Sequence, residues 1–161
     1  GKTIEVMNTD AEGRLIMADA LAYASESKPD IICDVATLTG AAYVALGVEI
    51  GAVFSNNKKT LESFLNSNSD GFENYHPLPL EQSYKALIKS KIADMKNSGG
   101  RFGGAITAAL LLEEFVDDLD WVHLDIAGPA RSRSNNSIYP EGGTGFGVLG
   151  YFNFLTNEAV S

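Results

Sequence analysis

Residues 8–15 of the chain read NTDAEGRL, and a helix-like pattern begins within this stretch and continues to about Ser25. Two carboxylates, Asp10 and Glu12, stand two positions apart, and Arg14 follows after the same interval. In an extended segment, side chains at i and i+2 point to the same side. We therefore expect these three side chains to converge on one small volume directly before the helix. Carboxylate pairs of this kind bridge divalent cations, and a fixed guanidinium beside them binds an anion.

The same residues also have ordinary structural interpretations. An Asp-x-Glu-Gly string is typical of a polar turn before a helix, where acidic residues interact favourably with the helix dipole. Arg14 can equally pair with a nearby acid or lay its aliphatic part along the first helical turn. An EF-hand counted from Asp10 is excluded, because its sixth position is Leu15 instead of Gly and its twelfth is Leu21 instead of Glu.

The whole octapeptide favours the functional interpretation, because it resembles the signature of the leucyl (cytosol) aminopeptidases. These are metallo-exopeptidases with two metal ions in each active site. The resemblance continues through ATLTGA at residues 36–41, ADMKN at 93–97 and HLDIAG at 123–128. It covers nearly the whole chain, in the order expected for the C-terminal half of such a protein.

The resemblance implies specific roles for the residues of the octapeptide. Asp10 and Glu12 match metal ligands, and the glutamate bridges two zinc or manganese ions that hold a nucleophilic water. Arg14 matches an arginine that holds a bicarbonate ion, which acts as the general base on that water. The backbone N–H groups of Gly13 and Leu38 complete the implied anion site.

Residues 37–40, TLTG, follow a buried strand and precede a short helix, so the pattern itself predicts a plain strand-to-helix turn. In open α/β sheets, ligands also gather at the carboxyl ends of strands. The resemblance assigns this segment to the substrate: backbone groups of Leu38 and Gly40 bind it, and Thr37 lines its side-chain pocket. Ala127 matches the opposite wall of that pocket, with Ala130 as a second candidate.

Other chemically suggestive residues are assigned structural roles. His76 and His123 are too few and too far apart for a histidine metal site, and no His-Glu-x-x-His motif occurs. We expect His123, within a predicted strand, to be a hydrogen-bonded structural residue. Asp94 and Asp125 lie in the resembling segments, but neither matches a metal ligand there. The glycines of residues 99–104 are not followed by Gly-Lys-Ser/Thr, which excludes a P-loop.

Composition restricts the class of protein further. The chain of 161 residues is 45% hydrophobic and 20% charged, as expected for one globular domain, and no apolar run is long enough for a membrane span. The net charge of −9 disfavours binding to nucleic acid or to anionic membranes. A single cysteine, Cys33, excludes an internal disulfide and favours a reducing compartment, the cytoplasm.

Strands alternate with helices along the chain, which predicts an α/β fold of three layers with a largely parallel or mixed central sheet between helices. The resemblance makes this fold zinc-peptidase-like. The predicted strands are 3–7, 31–36, 50–54 and 121–127, with an extended segment at 76–79. The predicted helices are 14–25, 41–46, one from about residue 56, 81–89, 105–116 and 146–157, and residues 129–145 form a polar loop.

The implied active site requires more residues than this chain contains. By the resemblance, a lysine, two aspartates and a second catalytic lysine precede the matching segment, and Lys2 does not replace them. We therefore expect residues 1–161 to be the C-terminal portion of a catalytic domain that, as a whole, cleaves N-terminal residues from peptides and assembles as a homohexamer. The alternative is a split or degenerate module that retains the fold and acts in binding or assembly.

Overall fold

The computed structural model describes residues 1–134 and 139–158. Its strands are β1 (Ile4–Glu5), β2 (Ile31–Ala36), β3 (Ile50–Ser55), β4 (Asn74–Pro77), β5 (Met95–Lys96), β6 (Asp120–Asp125), β7 (Arg131–Ser132) and β8 (Gly142–Gly143). Its α-helices are α1 (Glu12–Glu26), α2 (Gly40–Leu46), α3 (Lys58–Ser67), α4 (Gly104–Glu113) and α5 (Val148–Glu158). Short 3-10 helices span Thr9–Ala11 and Gln82–Ile88. No helix among these described residues is long and apolar enough to cross a membrane.

The main sheet has four strands in the order β2-β6-β3-β4. β2 runs parallel to β6 and β3 runs parallel to β4, whereas β3 and β6 are antiparallel, so the sheet is mixed. The length of α2 explains the reversal. Its seven residues span about 10 Å, roughly half the length of a six-residue strand. The chain therefore re-enters the sheet at the end where β2 finished, and β3 runs back against β6.

The alternation of side chains along the strands separates two hydrophobic cores. On one face, Phe54 and Trp121 pack with residues of α1, α2 and α4; on the other, Val53 and Leu124 pack against α3 and α5. Successive residues of a strand point to opposite faces, which accounts for this division. The predicted three-layer α/β fold, with helices on both faces of a mixed sheet, is confirmed.

Several predicted elements differ from the structure in type or extent; the strand predicted at 3–7, for example, is limited to Ile4–Glu5. The segment predicted as a helix at 81–89 forms a 3-10 helix, with the Glu81 side chain accepting a hydrogen bond from the N–H of Ser83. The polar loop predicted at 129–145 contains a two-residue pairing of β7 with β8, and residues 135–138 of that loop lie outside the described part of the chain. The strand predicted to reach Ala127 ends at Asp125, because the chain turns there around the Asp125 carboxylate.

Candidate metal and substrate site

The parallel strands β2 and β6 end side by side, and the candidate site lies just beyond them. Ala36 is paired with Asp125 in the last register position of the two strands. The N–H of Ile126 donates to the carbonyl of Ala36 over 2.9 Å, which extends the pairing by one step. The turn after β2 (residues 37–40) and the turn after β6 (residues 126–130) therefore lie next to each other, beyond the carboxyl ends of the two strands.

The carboxylate of Asp125 joins these two turns. Its Oδ1 accepts hydrogen bonds from the N–H groups of Leu38 (3.1 Å), Thr39 (3.3 Å) and Ala127 (3.2 Å). Its Oδ2 accepts from the Thr39 hydroxyl over 2.6 Å, and that hydroxyl in turn accepts from the N–H of Ala42 at the start of α2. Asp125 is 1% exposed. One buried carboxylate thus holds both predicted walls of the substrate pocket.

The residues predicted to contact substrate are accessible around this anchor. Thr37 and Gly40 are exposed, while Leu38 and Ala127 are half-buried. A β-carbon added to Gly40 would meet no atom within 4 Å, so space is open on this side of the backbone. Gly40 also borders a mainly apolar groove of about 520 Å³ between α2 and the start of α4. Ala130 lies further along the second turn and donates its N–H to the carbonyl of Ile126.

The first turn of α1 packs against the turn after β2 and carries the predicted anion-binding residues. A β-carbon on Gly13 would lie 3.5 Å from the Leu38 side chain, so these two residues are neighbours. Leu38 donates its N–H to Asp125 in this structure. Its donation to an anion therefore stays a prediction.

Arg14 is partly buried beside Asp125. Within residues 1–134 and 139–158, its side chain makes one hydrogen bond, from Nη1 to the carbonyl of Asn97 over 2.7 Å. Its Nε is buried without a partner among the described residues. Burial lowers the pKa of Arg14 from its ordinary value, and the charge of Asp125 acts in the opposite direction. A buried guanidinium with an unsatisfied N–H is costly unless further acceptors approach it. Arg14 therefore has unused capacity to bind an anion.

The segment bearing Asp10 and Glu12 is helical, and the extended geometry expected for it is wrong. Asn8 caps a 3-10 turn over Thr9–Ala11 by accepting the N–H of Asp10, and α1 begins at Glu12. Residues two apart do not face each other on a helix, so side-chain alternation does not bring the two carboxylates together. A metal site shared by Asp10 and Glu12 stays a prediction. Both residues are exposed. Within the described residues, neither carboxylate has a hydrogen-bond or ion-pair partner, and no group of three or more metal-ligating side chains occurs.

The side chain of Asn97 forms four hydrogen bonds to the loop that carries Asp10 and Glu12, referred to below as the acidic loop. The sequence interpretation missed this role. Its Oδ1 accepts the N–H groups of Met7 (2.9 Å) and Asn8 (3.2 Å), and its Nδ2 donates to the carbonyls of Asn8 (2.7 Å) and Ala11 (3.4 Å). Asn97 has no exposed surface. The available signal was its position at the end of the segment ADMKN, but a partner nearly 90 residues away cannot be identified from spacing.

The polar residues that were given structural roles form hydrogen bonds within the protein. Nδ1 of His123 lies 2.5 Å from Oδ1 of Asp34, and the ring stacks on Trp121 and Phe54. The predicted structural role of His123 is confirmed. Asp94 accepts hydrogen bonds from the N–H and hydroxyl of Thr3, both over 2.7 Å, so it joins the first residues of the chain to β5.

Comparison with known proteins identifies the group to which this arrangement belongs. The profile described as "Cytosol aminopeptidase family, catalytic domain" matches residues 1–150. A probable cytosol aminopeptidase of Prochlorococcus marinus subsp. pastoris is 51% identical over 159 residues, which are 98% of this chain and 32% of that protein. A probable cytosol aminopeptidase of Syntrophotalea carbinolica is 51% identical over 158 residues, again 98% of this chain and 32% of the relative.

Solved structures give the same result. A mutant of tomato leucine aminopeptidase superposes with a TM-score of 0.91 and 44% identity, covering 98% of this chain and 30% of that one. The bottromycin maturation enzyme BotP in complex with Mn gives a TM-score of 0.93 and 38% identity, covering 99% of this chain and 36% of that one. The chain spans about a third of the length of the curated relatives it matches. It belongs to the cytosol aminopeptidase family and lies within the family's catalytic domain.

Proposed function

We propose that this chain is the C-terminal portion of a two-metal aminopeptidase that hydrolyses the N-terminal residue of peptides. The observation that carries the proposal is the Asp125 carboxylate, which holds Leu38 and Ala127 together beside Gly13 and Arg14. Residues from three separate sequence segments therefore meet beyond the carboxyl ends of β2 and β6. They are the residues to which the family resemblance gives substrate and anion roles.

Asp10 and Glu12 suit part of a metal site. Carboxylate oxygens are ligands for zinc, manganese and other divalent ions, and both groups are exposed without competing partners among the described residues. Two carboxylates are too few to hold a reactive metal pair. The remaining ligands would come from other parts of a protein of the relatives' length. When bound, a pair of divalent ions supplies an activated water and polarises the scissile carbonyl.

The other residues of the site would position the reactants. Arg14 would hold bicarbonate, because a guanidinium matches a planar oxyanion in two places and its Nε lacks a partner in the described structure. The bound anion would accept the proton of the attacking water. Backbone groups of Leu38 and Gly40 would align the peptide, and Thr37 and Ala127 would flank its first side chain. The apolar groove beside Gly40 supports a preference for apolar side chains.

The setting of the activity is also part of the proposal. We assign residues 1–161 to a single catalytic domain, within a protein of the relatives' length that forms a homohexamer in the cytoplasm. The names of the relatives support the location, and the net charge of −9 argues against nucleic acid and anionic membranes as partners.

The proposal is tested by cleavage of leucine p-nitroanilide with added manganese or zinc and bicarbonate. The 161-residue chain is compared with a protein of the relatives' full length that contains it. We expect the longer protein to be active and the isolated chain to be inactive, because the chain offers too few metal ligands. An inactive longer protein would favour the non-catalytic binding or assembly module. Full activity of the isolated chain would contradict the ligand count.

The substitution Glu12→Ala in the longer protein addresses the metal-bridging role directly. Glu12 is exposed at the first position of α1, so we expect little loss of folding, measured by thermal unfolding of the metal-free protein. Turnover should be abolished, because the carboxylate that would bridge the ions is removed. Retained turnover would refute this role.

A further inference from the structure

The loop that carries the proposed metal ligands has few contacts that fix its shape. β1, which precedes it, contributes two residues paired with β5. Among the described residues, the carboxylates of Asp10 and Glu12 accept no hydrogen bond and form no ion pair. The 3-10 turn over Thr9–Ala11, which contains Asp10, buries none of its residues. The local geometry therefore depends on polar contacts to the backbone of this loop.

Asn97 supplies most of those contacts from outside the loop. Its side-chain amide closes on three residues of the loop, accepting from Met7 and Asn8 and donating to Asn8 and Ala11. The contact to Ala11 reaches the residue between the two proposed ligands. All four bonds come from one side chain with no exposed surface. Such a fully bonded buried amide fixes a single backbone conformation.

The backbone of Asn97 extends this arrangement to the proposed anion site. Its N–H donates to the carbonyl of Glu5 over 3.0 Å, which places residue 97 directly after the β1–β5 pairing. Its carbonyl accepts Nη1 of Arg14 over 2.7 Å. One residue therefore sets the position of the acidic loop and of the guanidinium relative to each other.

We propose that Asn97 is a positioning residue that preorganises the Asp10–Glu12 loop for binding divalent metal. It touches neither metal nor substrate and acts through the backbone of Met7, Asn8 and Ala11. This inference rests on the proposed function, since it takes Asp10 and Glu12 as ligands. Partners that orient metal ligands from outside the coordination sphere typically contribute tenfold to a hundredfold to metal affinity.

The experiment measures Mn²⁺ binding to the metal-free, full-length protein by isothermal titration calorimetry, independently of activity. The variants are Asn97→Ala, which removes all four contacts, and Asn97→Asp, which keeps the two acceptor contacts and loses the two donor contacts. Asn68→Ala is the matched control. Asn68 is also a buried asparagine, 8% exposed, and donates to the carbonyls of Phe64 and Gly150 between α3 and α5.

We expect Asn97→Ala to weaken Mn²⁺ binding about tenfold or more and Asn97→Asp to weaken it measurably. Asn68→Ala should lower the thermal unfolding temperature without changing Mn²⁺ affinity. Wild-type affinity in Asn97→Ala, or an equal loss in the Asn68→Ala control, would overturn the proposal. A parallel titration of Glu12→Gln separates the two hypotheses. If Glu12→Gln also leaves affinity unchanged, the proposed function fails; if only the Asn97 variants do so, the positioning role alone fails.

Hydrogen exchange on the unsubstituted, metal-free protein tests the same proposal without any variant. The amides of Met7 and Asn8 donate to Oδ1 of Asn97. We expect them to exchange as slowly as the amide of Asn97, which bonds to Glu5. Exchange of the Met7 and Asn8 amides at the rate of an open loop would overturn the proposal even if the Asn97 variants did not fold.

Discussion

Arg14 combines burial, positive charge and an N–H without a partner among the described residues, and these properties make its proposed anion-binding role testable. In Arg14→Ala the desolvated charge and its unused donors are both removed. We expect this variant of the full-length protein to lose stimulation by bicarbonate and about 2–4 kcal/mol of transition-state stabilisation, the usual cost of removing a preorganised charge-stabilising group. Initial rates measured across a bicarbonate series check this. Unchanged bicarbonate stimulation in Arg14→Ala would contradict the role.

Gly40 and Gly128 differ in the space that surrounds them. A β-carbon at Gly40 would meet nothing within 4 Å, whereas one at Gly128 would lie 2.0 Å from the carbonyl oxygen of Gly47. We expect Gly40→Ala to leave the unfolding temperature unchanged and to raise KM, because the added methyl occupies space proposed for the peptide. Gly128→Ala should instead destabilise the protein by about 1–3 kcal/mol or more.

Thermal unfolding and steady-state kinetics on both glycine variants separate these effects. Gly143→Ala is the control for stability, since its β-carbon is also unobstructed and Gly143 lies on β8. A Gly40→Ala variant with unchanged KM would show that peptide does not approach this part of the backbone.

Buried hydrogen bonds between side chains link β2 to β6. Asp34 of β2 accepts Nε1–H of Trp121 over 2.6 Å and lies 2.5 Å from Nδ1 of His123. Burial by itself lowers the pKa of His123, but the charges of Asp34 and Asp125 outweigh it, so the pKa is raised from its ordinary value. The folded protein therefore holds the His123 proton more tightly than the unfolded chain does.

This linkage predicts a direction for the pH dependence of stability. The contribution of His123 is present in full below its unfolded pKa, about 6.5, and is lost as pH rises through the higher folded value. We expect His123→Gln to flatten the fall in unfolding free energy above about pH 6.5, measured by denaturant titration at a series of pH values. His76→Gln is the control for replacement of a histidine elsewhere in the sheet, because His76 is exposed on β4. An unaltered slope in His123→Gln would contradict the raised pKa.

Elements with strong local patterns were predictable from the sequence, while those set by long-range contacts were not. β2 was predicted with its observed bounds, and the apolar run at 105–116 predicted α4 to within three residues at its end. The sequence pattern does not decide between a parallel and a mixed sheet, and therefore does not fix the direction of β3, although the short α2 favours a reversal. The hydrogen bonds from Leu38 to Asp125 and from Met7 to Asn97 join residues more than 80 positions apart. Local periodicity carries no information about such pairs.

The four-stranded sheet has two edges that differ in their protection. β4 is short and contains Pro77, which cannot donate to a neighbouring strand. β2 has six residues without proline or lysine, and its one charge, Asp34, is turned toward Trp121 and His123. In the described structure β2 pairs with β6 alone. Unprotected edges of this kind pair readily with other strands.

We therefore expect the isolated 161-residue chain to self-associate through β2, with a larger sedimentation coefficient at higher concentration. Val35→Lys should reduce this association, because Val35 is 44% exposed on β2 and a lysine there would oppose strand pairing. Val44→Lys is the control, since Val44 is 85% exposed but lies on α2. Equal effects of the two substitutions in analytical ultracentrifugation would exclude the edge as the contact.

The single carboxylate shared by the turns after β2 and β6 also affects how specificity can be redesigned. Leu38 and Ala127 are 89 positions apart in the sequence, yet Asp125 fixes both. A substitution that moves the turn after β2 will also shift Asp125, which holds the turn after β6. The effects of substitutions in the two turns on substrate preference should therefore be non-additive. Directed evolution of substrate preference should therefore succeed more often with joint libraries at Thr37 and Ala127 than with sequential single-site libraries.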